Sequence, residues 1–362
     1  MKNLIYLVQN KIYPRDLNVD RYAINKFSRM TNVTIIDLSY LFYKLKNTYN
    51  YNFKNITYYK VKNLNFFKKF FFDKSLILDF LPHSRVSFKI RNILKNNNII
   101  IKRSNLYPTN SNYLSVLVNY LRVLFKSNFF RFDYFIATGK ESFKDLFFFT
   151  SKKIIYGNSY DYDRVLKKNF KFKNNSFAIY LDEGMIGHPD YKILGINQCF
   201  IKKTFYKRMN IFFKKVEANI KIPIYVAKHP KMRSKDYRNL FPNRKIIVDN
   251  TKEAVKNAKY VFAHSSTSIN YAVLFKKLIL ILSSSELSKS YIFKYMMLFS
   301  KNLNCKIYNI DNKKSAELDS LFYYLRETGI DKCKYKQFEN NYIQHPKSNL
   351  KNSWDFLSKI PE

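Results

Sequence analysis

The chain is poor in cysteine, glycine, histidine and acidic residues, and it has no long apolar run. Its three cysteines, Cys199, Cys305 and Cys333, lie far apart, and none belongs to a CxxC pair. This spacing argues against a disulfide framework or a zinc site and fits a reducing compartment. No stretch approaches the roughly 18 apolar residues of a membrane span, and the apolar run at the amino terminus is too short for a signal peptide. We therefore expect a soluble cytoplasmic protein.

Acidic residues are also scarce, since 26 Asp and Glu stand against 65 Lys and Arg and give a formal charge of +39. Such a charge favours anionic partners, which include nucleic acid, phosphorylated metabolites and acidic membranes. Lys, Asn, Ile, Phe and Tyr are inflated together, so the codon bias of an AT-rich genome is an equal explanation. The lysines are spread over the chain without a zinc-finger pattern, an RNP-like motif or a basic tail. Specific nucleic-acid binding is therefore the least favoured alternative.

Two segments, 65–74 and 123–132, interleave phenylalanine with lysine and arginine. A surface of this composition can rest on anionic lipid headgroups. The same pattern also marks an ordinary buried face whose lysines are solvated. Peripheral contact with the inner face of the cell membrane is therefore an open alternative to a purely cytoplasmic location.

Hydrophobic residues make up 46% of the chain and form short apolar runs that alternate with helical patterns. Such alternation, with continuous apolar strands, predicts parallel sheets covered by helices. The pattern restarts after the polar stretch 167–176, which predicts two Rossmann-like domains, 1–170 and 171–340, facing a central cleft, and a tail, 341–362. The predicted strands are 4–9, 33–38, 75–80, 98–103, 133–138, 152–157, 177–182, 222–230, 244–250, 258–266 and 277–284. The predicted helices are 84–95, 112–125, 205–220, 251–258, 267–277, 291–303 and 315–328.

Polar residues follow three predicted strands of the second half. In a parallel sheet the carboxyl ends of the strands meet at one edge, where ligands bind. We therefore expect these side chains to converge. They are Asp182, Glu183 and Gly184 after the first strand, Lys228, His229 and Pro230 after the second, and His264, Ser265, Ser266 and Thr267 after the fourth.

The serine-rich group suits a phosphate. Ser265, Ser266 and Thr267 open a predicted helix, where hydroxyls, unpaired N–H groups and the positive end of the helix dipole meet. Capping of the helix is the alternative explanation for the same residues. The convergence of three polar groups at one sheet edge favours a binding site over three separate turns and caps.

The other two groups suit proton transfer and charge stabilisation. His229 can donate a hydrogen bond or a proton to a phosphate oxygen, with Pro230 fixing the turn and Lys228 adding charge. Either Asp182 or Glu183 could take a proton from an acceptor hydroxyl. A base, a phosphate clamp and a histidine together suit the transfer of a sugar from a nucleotide.

The three motifs resemble those of bacterial sialyltransferases of the GT-B fold, which carry a D/E-D/E-G motif, then HP, then a serine-rich SS/ST motif. The resemblance covers mainly residues 177–285. It implies a metal-independent glycosyltransferase of capsule, O-antigen or lipopolysaccharide synthesis that has no cofactor. The donor would be a CMP-activated sialic, legionaminic or pseudaminic acid, and the acceptor a glycan or a lipid-linked glycan.

The resemblance also implies individual roles. Asp182 would be the general base, with Glu183 the second candidate, while His229, Ser265 and Ser266 would hold the CMP phosphate. The first domain would bind the acceptor and the second domain the nucleotide sugar. Asp182 and His229 are only 47 positions apart, which is shorter than in several of those families and weakens the assignment of Asp182. A GT-B transferase that uses CMP-Kdo, CDP-glycerol or a UDP-sugar is the alternative.

Four further residues are candidates for acceptor binding. Gly184 permits close approach to the candidate base, and His188 lies just beyond it. Asp161 and Asp163 form a literal DxD, which holds a divalent cation under a diphosphate in metal-dependent transferases. A CMP leaving group has a single phosphate that a helix end, hydroxyls and a histidine can stabilise. We therefore predict acceptor binding and no metal for this pair.

Overall fold

A computed structural model of the chain describes residues 3–9, 19, 22–44, 56–69, 74–82, 84–104, 130–147, 149–166, 176–185, 203–230, 234–350, 352 and 354–360. These residues fall into two compact units. The first contains the described residues up to Tyr160 together with those of Gln344–Glu362, and the second contains those of Asp161–Ile343.

The first unit is built on a parallel sheet in which the described strands run in the order β3-β2-β1-β4-β5-β6-β7. The strands are β1 Leu4–Val8, β2 Val33–Asp37, β3 Ile56–Lys60, β4 Leu76–Asp79, β5 Ile99–Arg103, β6 Arg131–Ala137 and β7 Thr150–Tyr156. The helices are Ile24–Phe27, Ser39–Tyr43, Phe66–Lys69 and Arg85–Leu94, with 3-10 segments at Lys140–Phe147 and Asp355–Lys359.

The second unit has a parallel sheet in the order β10-β9-β8-β11-β12-β13. The strands are β8 Ala178–Leu181, β9 Ile224–Ala227, β10 Ile246–Ile247, β11 Tyr260–Ala263, β12 Leu278–Ser283 and β13 Ile307–Asn309. The helices are Lys203–Ile220, Ser234–Leu240, Thr251–Asn257, Ile269–Leu274, Tyr291–Leu303, Ser315–Glu327 and Lys332–Phe338, with a 3-10 turn at Leu287–Lys289 and a π-helical turn at Glu339–Ile343. The helix Tyr160–Leu166 starts at the last residue of the first unit and continues into the second.

Both sheets share the strand order of a Rossmann fold. Counted within its own unit, each sheet runs 3-2-1-4-5-6, and the first sheet adds one strand. The direction of the winding reverses between β1 and β4 in the first sheet and between β8 and β11 in the second. The predicted α/β class, with two Rossmann-like units built on parallel sheets, is confirmed.

The core of the first unit follows the two-residue period of its strands. Along β1, Leu4, Tyr6 and Val8 pack on one face of the sheet, and Ile5 and Leu7 pack on the other. Apolar side chains from the end of the chain join the first of these faces. They are Leu350, Trp354, Phe356 and Leu357.

The described part of the two phenylalanine-rich segments belongs largely to the core. Phe67, Phe130 and Phe132 are buried in the second cluster of the first unit. Residues 70–73 and 123–129, like the predicted helix 112–125, lie outside the described residues. No helix within the described ranges is long and apolar enough to cross a membrane. Contact with a membrane surface stays a prediction.

Candidate active site

The three predicted motifs lie at one edge of the second sheet, where each follows the carboxyl end of one of three adjacent strands. Strand β8 pairs with β11, where Leu181 lies opposite Ala263, and with β9, where Leu181 lies opposite Ala227. The motif 182–184 follows β8, and the serine motif follows β11 across the switch point of the sheet. The His-Pro motif follows β9. Parallel pairing with matched ends therefore brings residues far apart in sequence to one place.

Asp182 is a buried carboxylate surrounded by hydrogen-bond donors, and only 4% of its surface is exposed. Tyr206 Oη donates to Oδ1 over 3.4 Å, and the Gly184 N–H donates to Oδ2 over 3.0 Å. Tyr237 Oη makes a short hydrogen bond to Oδ2. Burial raises the pKa of Asp182, and these donors oppose that rise because they stabilise the anion. The carboxylate is thus held in place by groups within the protein.

Gly184 forms the turn that this carboxylate needs. Its φ of 63° lies in the left-handed region, which glycine adopts without a steric penalty. The turn aims the Gly184 N–H back at Asp182. The turn beside Asp182 therefore explains why a glycine occupies this position. Its contact with an acceptor stays a prediction.

His264 is fully buried and is linked to Asp182 through Tyr180. Its Nδ1 lies against the Leu282 carbonyl, which can only accept, so Nδ1 carries the proton. Burial lowers the pKa of His264 to about 4, so the ring is neutral near pH 7 and Nε2 is an acceptor. Tyr180 Oη lies 2.7 Å from Nε2 and 3.1 Å from Asp182 Oδ1. Its single proton serves one of these two groups at a time.

Glu183 reaches from β8 across the switch point and binds Ser265. Ser265 Oγ donates to Oε2 over 2.8 Å, and the Ser265 N–H makes a short hydrogen bond to Oε1. Burial raises the pKa of Glu183 to about 7, although both Ser265 donors act to lower it. Glu183 is more exposed than Asp182. A pKa of about 7 is also the value that suits a general base working near neutral pH.

The motif after β9 is tied to the same network. The His229 N–H donates to Tyr237 Oη over 2.9 Å, and Tyr237 in turn donates to Asp182. The His229 side chain is partly exposed, and Pro230 is exposed. Lys228 is buried, its Nζ donates to the His229 carbonyl over 3.2 Å, and burial lowers its pKa. Tyr237 thus fixes the end of β9 relative to the end of β8.

The helix after the serine motif starts later than predicted, at Ile269. Ser266 Oγ accepts a hydrogen bond from the Ser268 N–H over 3.3 Å, and Thr267 is exposed. Ser265 uses its N–H and its hydroxyl on the neighbouring carboxylate. Ser266 and Thr267 are therefore the more accessible members of the motif, and their contact with a phosphate stays a prediction.

Asp161 and Asp163 are buried in the helix Tyr160–Leu166. Asn270, in the helix after the serine motif, donates from Nδ2 to Asp161 Oδ2 over 2.9 Å. Among the residues that the structure describes, no group of three His, Cys, Asp or Glu side chains is placed to hold a metal ion. The acceptor role of the pair and its independence of metal stay predictions. His188 lies outside the described residues.

The tyrosines around Asp182 had no signal in the sequence. Tyr180, Tyr206 and Tyr237 sit in ordinary amphipathic or apolar patterns, in a chain with 30 tyrosines. Only their position around a buried carboxylate distinguishes them. The spacing of the site residues along the chain does not show which of two adjacent carboxylates these hydroxyls reach.

A second polar group, at the end of β12, also went unpredicted. The Ser285 N–H donates to Asp311 Oδ2 over 2.8 Å, and Arg208 Nε lies 2.8 Å from Asp311 Oδ1. Arg208 also forms a short ion pair with Glu286. The stretch 283–286, three serines and a glutamate directly after an apolar strand, is the signal that could have identified it.

No family model matches this chain, and no curated protein matches it. Solved structures match it over most of its length, among them the following three. MurG of Acinetobacter baumannii has 11% identity and a TM-score of 0.44 over 90% of this chain and 91% of that one. The UDP-GlcNAc 2-epimerase of Methanocaldococcus jannaschii has 14% identity and a TM-score of 0.48 over 93% and 98%. The wall teichoic acid polymerase TagF has 11% identity and a TM-score of 0.47 over 94% and 83%. Identities and TM-scores this low do not indicate the activity of this chain.

Proposed function

We propose that this chain is a glycosyltransferase of surface-glycan synthesis that moves a nonulosonic acid from its CMP-activated donor to a hydroxyl of a glycan acceptor. The observation that carries the proposal is the contact between Glu183 and Ser265 across the switch point of the second sheet. It joins a carboxylate with a pKa of about 7 to the serine motif, beside the strand that carries His229. The resemblance of the three motifs to those of the sialyltransferases supports the choice of donor.

We assign the role of general base to Glu183 and a positioning role to Asp182, which reverses the ranking that the sequence favoured. A base must come within hydrogen-bond reach of the acceptor hydroxyl. Asp182 is 4% exposed and is enclosed by Tyr206, Tyr237 and the Gly184 N–H, which leaves little room for an acceptor. Glu183 is more accessible, and its pKa of about 7 matches the task. Asp182 holds Tyr237, and through it the backbone of His229.

In the proposed step, the acceptor oxygen bonds to the anomeric carbon of the donor sugar while the bond from that carbon to the CMP phosphate oxygen breaks. The acceptor proton passes to the Glu183 carboxylate, and CMP leaves with the bonding electron pair. His229, Ser266 and Thr267 stabilise the phosphate oxygens as negative charge builds on them. Lys228 adds positive charge at the end of the same strand.

A donor panel tests this proposal. The full chain is incubated with CMP-N-acetylneuraminic acid, CMP-Kdo, CDP-glycerol or UDP-N-acetylglucosamine, with a glycan acceptor or with water in its place, and the release of CMP, CDP or UDP is measured. We expect release from the nonulosonic donor. Glu183→Gln should lower turnover roughly 100- to 10,000-fold, the range for loss of a general base, with CMP affinity nearly unchanged. His229→Ala should weaken both turnover and CMP binding.

The exposed Glu327, replaced by Gln, is the matched control and should leave both quantities unchanged. Release from only a CDP or UDP donor would keep the transferase and reject the nonulosonic acid. Turnover of none of the four donors, with no affinity for any nucleotide, would reject the transferase itself. Full turnover of Glu183→Gln would contradict this assignment and favour Asp182 as the general base.

A further inference from the structure

Arg103 is a buried cation that the first unit leaves without a carboxylate among the described residues. It is the last residue of β5, and 4% of its surface is exposed. Its Nη2 donates to the Asn158 carbonyl. Its Nε and Nη1 are buried and have no hydrogen-bond partner within the described part of the chain. A buried donor left unsatisfied costs about 1–3 kcal/mol, and more when it is charged.

The residue before it shows how the same strand accommodates a buried cation that serves the fold. Neighbours along a strand point to opposite faces of the sheet. On the opposite face, Lys102 Nζ lies 3.2 Å from Asp79 Oδ1, and Arg91 Nε donates to Asp79 Oδ2 over 2.6 Å. Burial raises the pKa of Asp79, but the two cations outweigh it and hold that pKa well below its usual range. Arg103 has no such counter-ion among the described residues.

Two aromatic rings lie against the guanidinium of Arg103. Its central carbon is 3.8 Å from the centroid of the Tyr160 ring and 5.3 Å from that of Trp354. These rings interact with the flat face of the cation through their π electrons, and they leave the N–H groups of Nε and Nη1 unmatched. A planar guanidinium binds carboxylates and phosphates through paired hydrogen bonds in its own plane. The unmatched edge is thus shaped for an oxyanion.

The surroundings of Arg103 suit a sugar that carries such an anion. The end of β5 lies at the carboxyl edge of the sheet, where ligands bind in folds of this kind. Phe80, which follows β4, stacks on Tyr22 with ring centroids 4.2 Å apart, and Tyr22 lies 5.8 Å from Tyr160. Phe80 is part of the core of the first unit, and Tyr22 and Tyr160 pack against it while staying partly exposed, so these two rings are the ones available for apolar contact with a sugar.

We propose that Arg103 binds the oxyanion of an acidic sugar, a carboxylate or a phosphate monoester, as part of the acceptor. The identification of that sugar as the acceptor rests on the proposed function, whereas the anion site does not. Trp354 is 4% exposed and Tyr160 is partly exposed. Because Nε and Nη1 are buried, binding of the sugar requires side chains beside them to move.

Direct binding tests the proposal without any donor. Glucuronate, glucose 6-phosphate and glucose are titrated into the full chain by calorimetry at physiological ionic strength. We expect one of the acids to bind at least tenfold more tightly than glucose, and its identity tells a carboxylate from a phosphate. Arg103→Met should lose that preference, while Arg131→Gln, a change at an exposed position of β6, should keep it.

Thermal unfolding without sugar separates this role from a purely structural one. Arg103→Met removes a buried charge that has no counter-ion in the described part of the chain, so it should melt at or above the temperature of the unmodified chain. Equal binding of all three sugars, no binding of either acid, or acid binding that survives in Arg103→Met would overturn the proposal. A lower melting temperature with unchanged acid binding would make Arg103 a structural cation.

A second variant covers a failure of Arg103→Met to fold. Arg103→Lys keeps the charge but lacks the planar fork. We expect it to fold and to bind the preferred acid about tenfold less tightly. Unchanged affinity would contradict recognition of the anion by the planar guanidinium. Because no nucleotide sugar is present in the titration, its failure would reject the anion site without bearing on the donor panel. Failure of the donor panel likewise leaves the anion site intact.

Discussion

At the scale of single residues, Glu183 sets the expected response to pH. A general base works in its ionised form, and burial raises the pKa of Glu183 to about 7. The kcat/KM for transfer should therefore rise as the pH approaches 7 and level off above it. In Glu183→Gln the remaining activity should no longer rise as the pH approaches 7. Initial rates between pH 5 and pH 9 measure it.

The same variant has a second readout, in stability. The folded-state pKa of about 7 lies above the ordinary value of 4.5, so folding favours the protonated form. The resulting stabilisation is fully present below pH 4.5 and is lost as the pH rises through about 7, a change of up to about 3 kcal/mol. Glu183→Gln should therefore gain stability relative to the unmodified chain from pH 5 to pH 8 in urea unfolding. Glu327→Gln should show no such trend, and a constant difference for Glu183→Gln would contradict the assignment.

The positions of the site residues could be predicted, but their roles could not. Asp182, His229 and Ser265 lie one or two residues beyond the ends of apolar strands, and parallel pairing alone brings strand ends together. The choice between Asp182 and Glu183 depends on hydroxyls that arrive from other helices. Tyr206 lies in the helix Lys203–Ile220 and Tyr237 in the helix Ser234–Leu240. No pattern along the chain reveals that both reach the same carboxylate.

At the scale of elements, the sequence predicts central strands better than edge strands. β1, β4 and β8 are buried along their whole length and, apart from Asp79 at the end of β4, read as continuous apolar runs. β3 lies at an edge, is only partly buried, and contains two tyrosines and a lysine, so it was missed. β13, at the edge of the second sheet, has three residues and was also missed. Edge strands bury less surface, which weakens the apolar signal.

Gly157 offers a test of how closely elements pack at the end of β7. A Cβ at this position would lie 2.8 Å from Ile136 Cγ2. The Gly157 N–H also donates to the Ala137 carbonyl over 2.8 Å, which fixes the backbone. Gly157→Ala should therefore force Ile136 out of position in the core and cost about 1–3 kcal/mol of unfolding free energy. Denaturant unfolding monitored by circular dichroism measures this cost.

Gly329 is the matched control, because a Cβ there would have no heavy atom within 4 Å. Gly329→Ala should change the free energy of unfolding by less than about 0.5 kcal/mol. Equal effects of the two substitutions would show that the space around Gly157 is not the cause.

At the scale of the whole molecule, the path of the chain departs from a simple order of domains. Residues after Ile343 belong to the first unit, where Asn158 Nδ2 donates to the Leu350 carbonyl over 2.9 Å. His345 donates from its N–H to the Gly157 carbonyl over 3.1 Å. The sequence of this segment is irregular and polar apart from a few apolar residues, so no periodic pattern predicts where it packs. Its destination depends on long-range contacts.

Removal of this segment should unfold the first unit and spare the second. Deleting Gln344–Glu362 takes Leu350, Trp354 and neighbouring apolar side chains out of the core beside β1. Each buried side chain of this size contributes about 1.5–3 kcal/mol, and together they approach the 5–15 kcal/mol that typically holds a domain folded. Limited proteolysis with mass spectrometry should then degrade the first unit and leave a protected fragment within Asp161–Ile343. Asn349→Ala, an exposed change in the same segment, should leave the full chain protected. Equal protection of both units after the deletion would mean that this segment is dispensable for the first core.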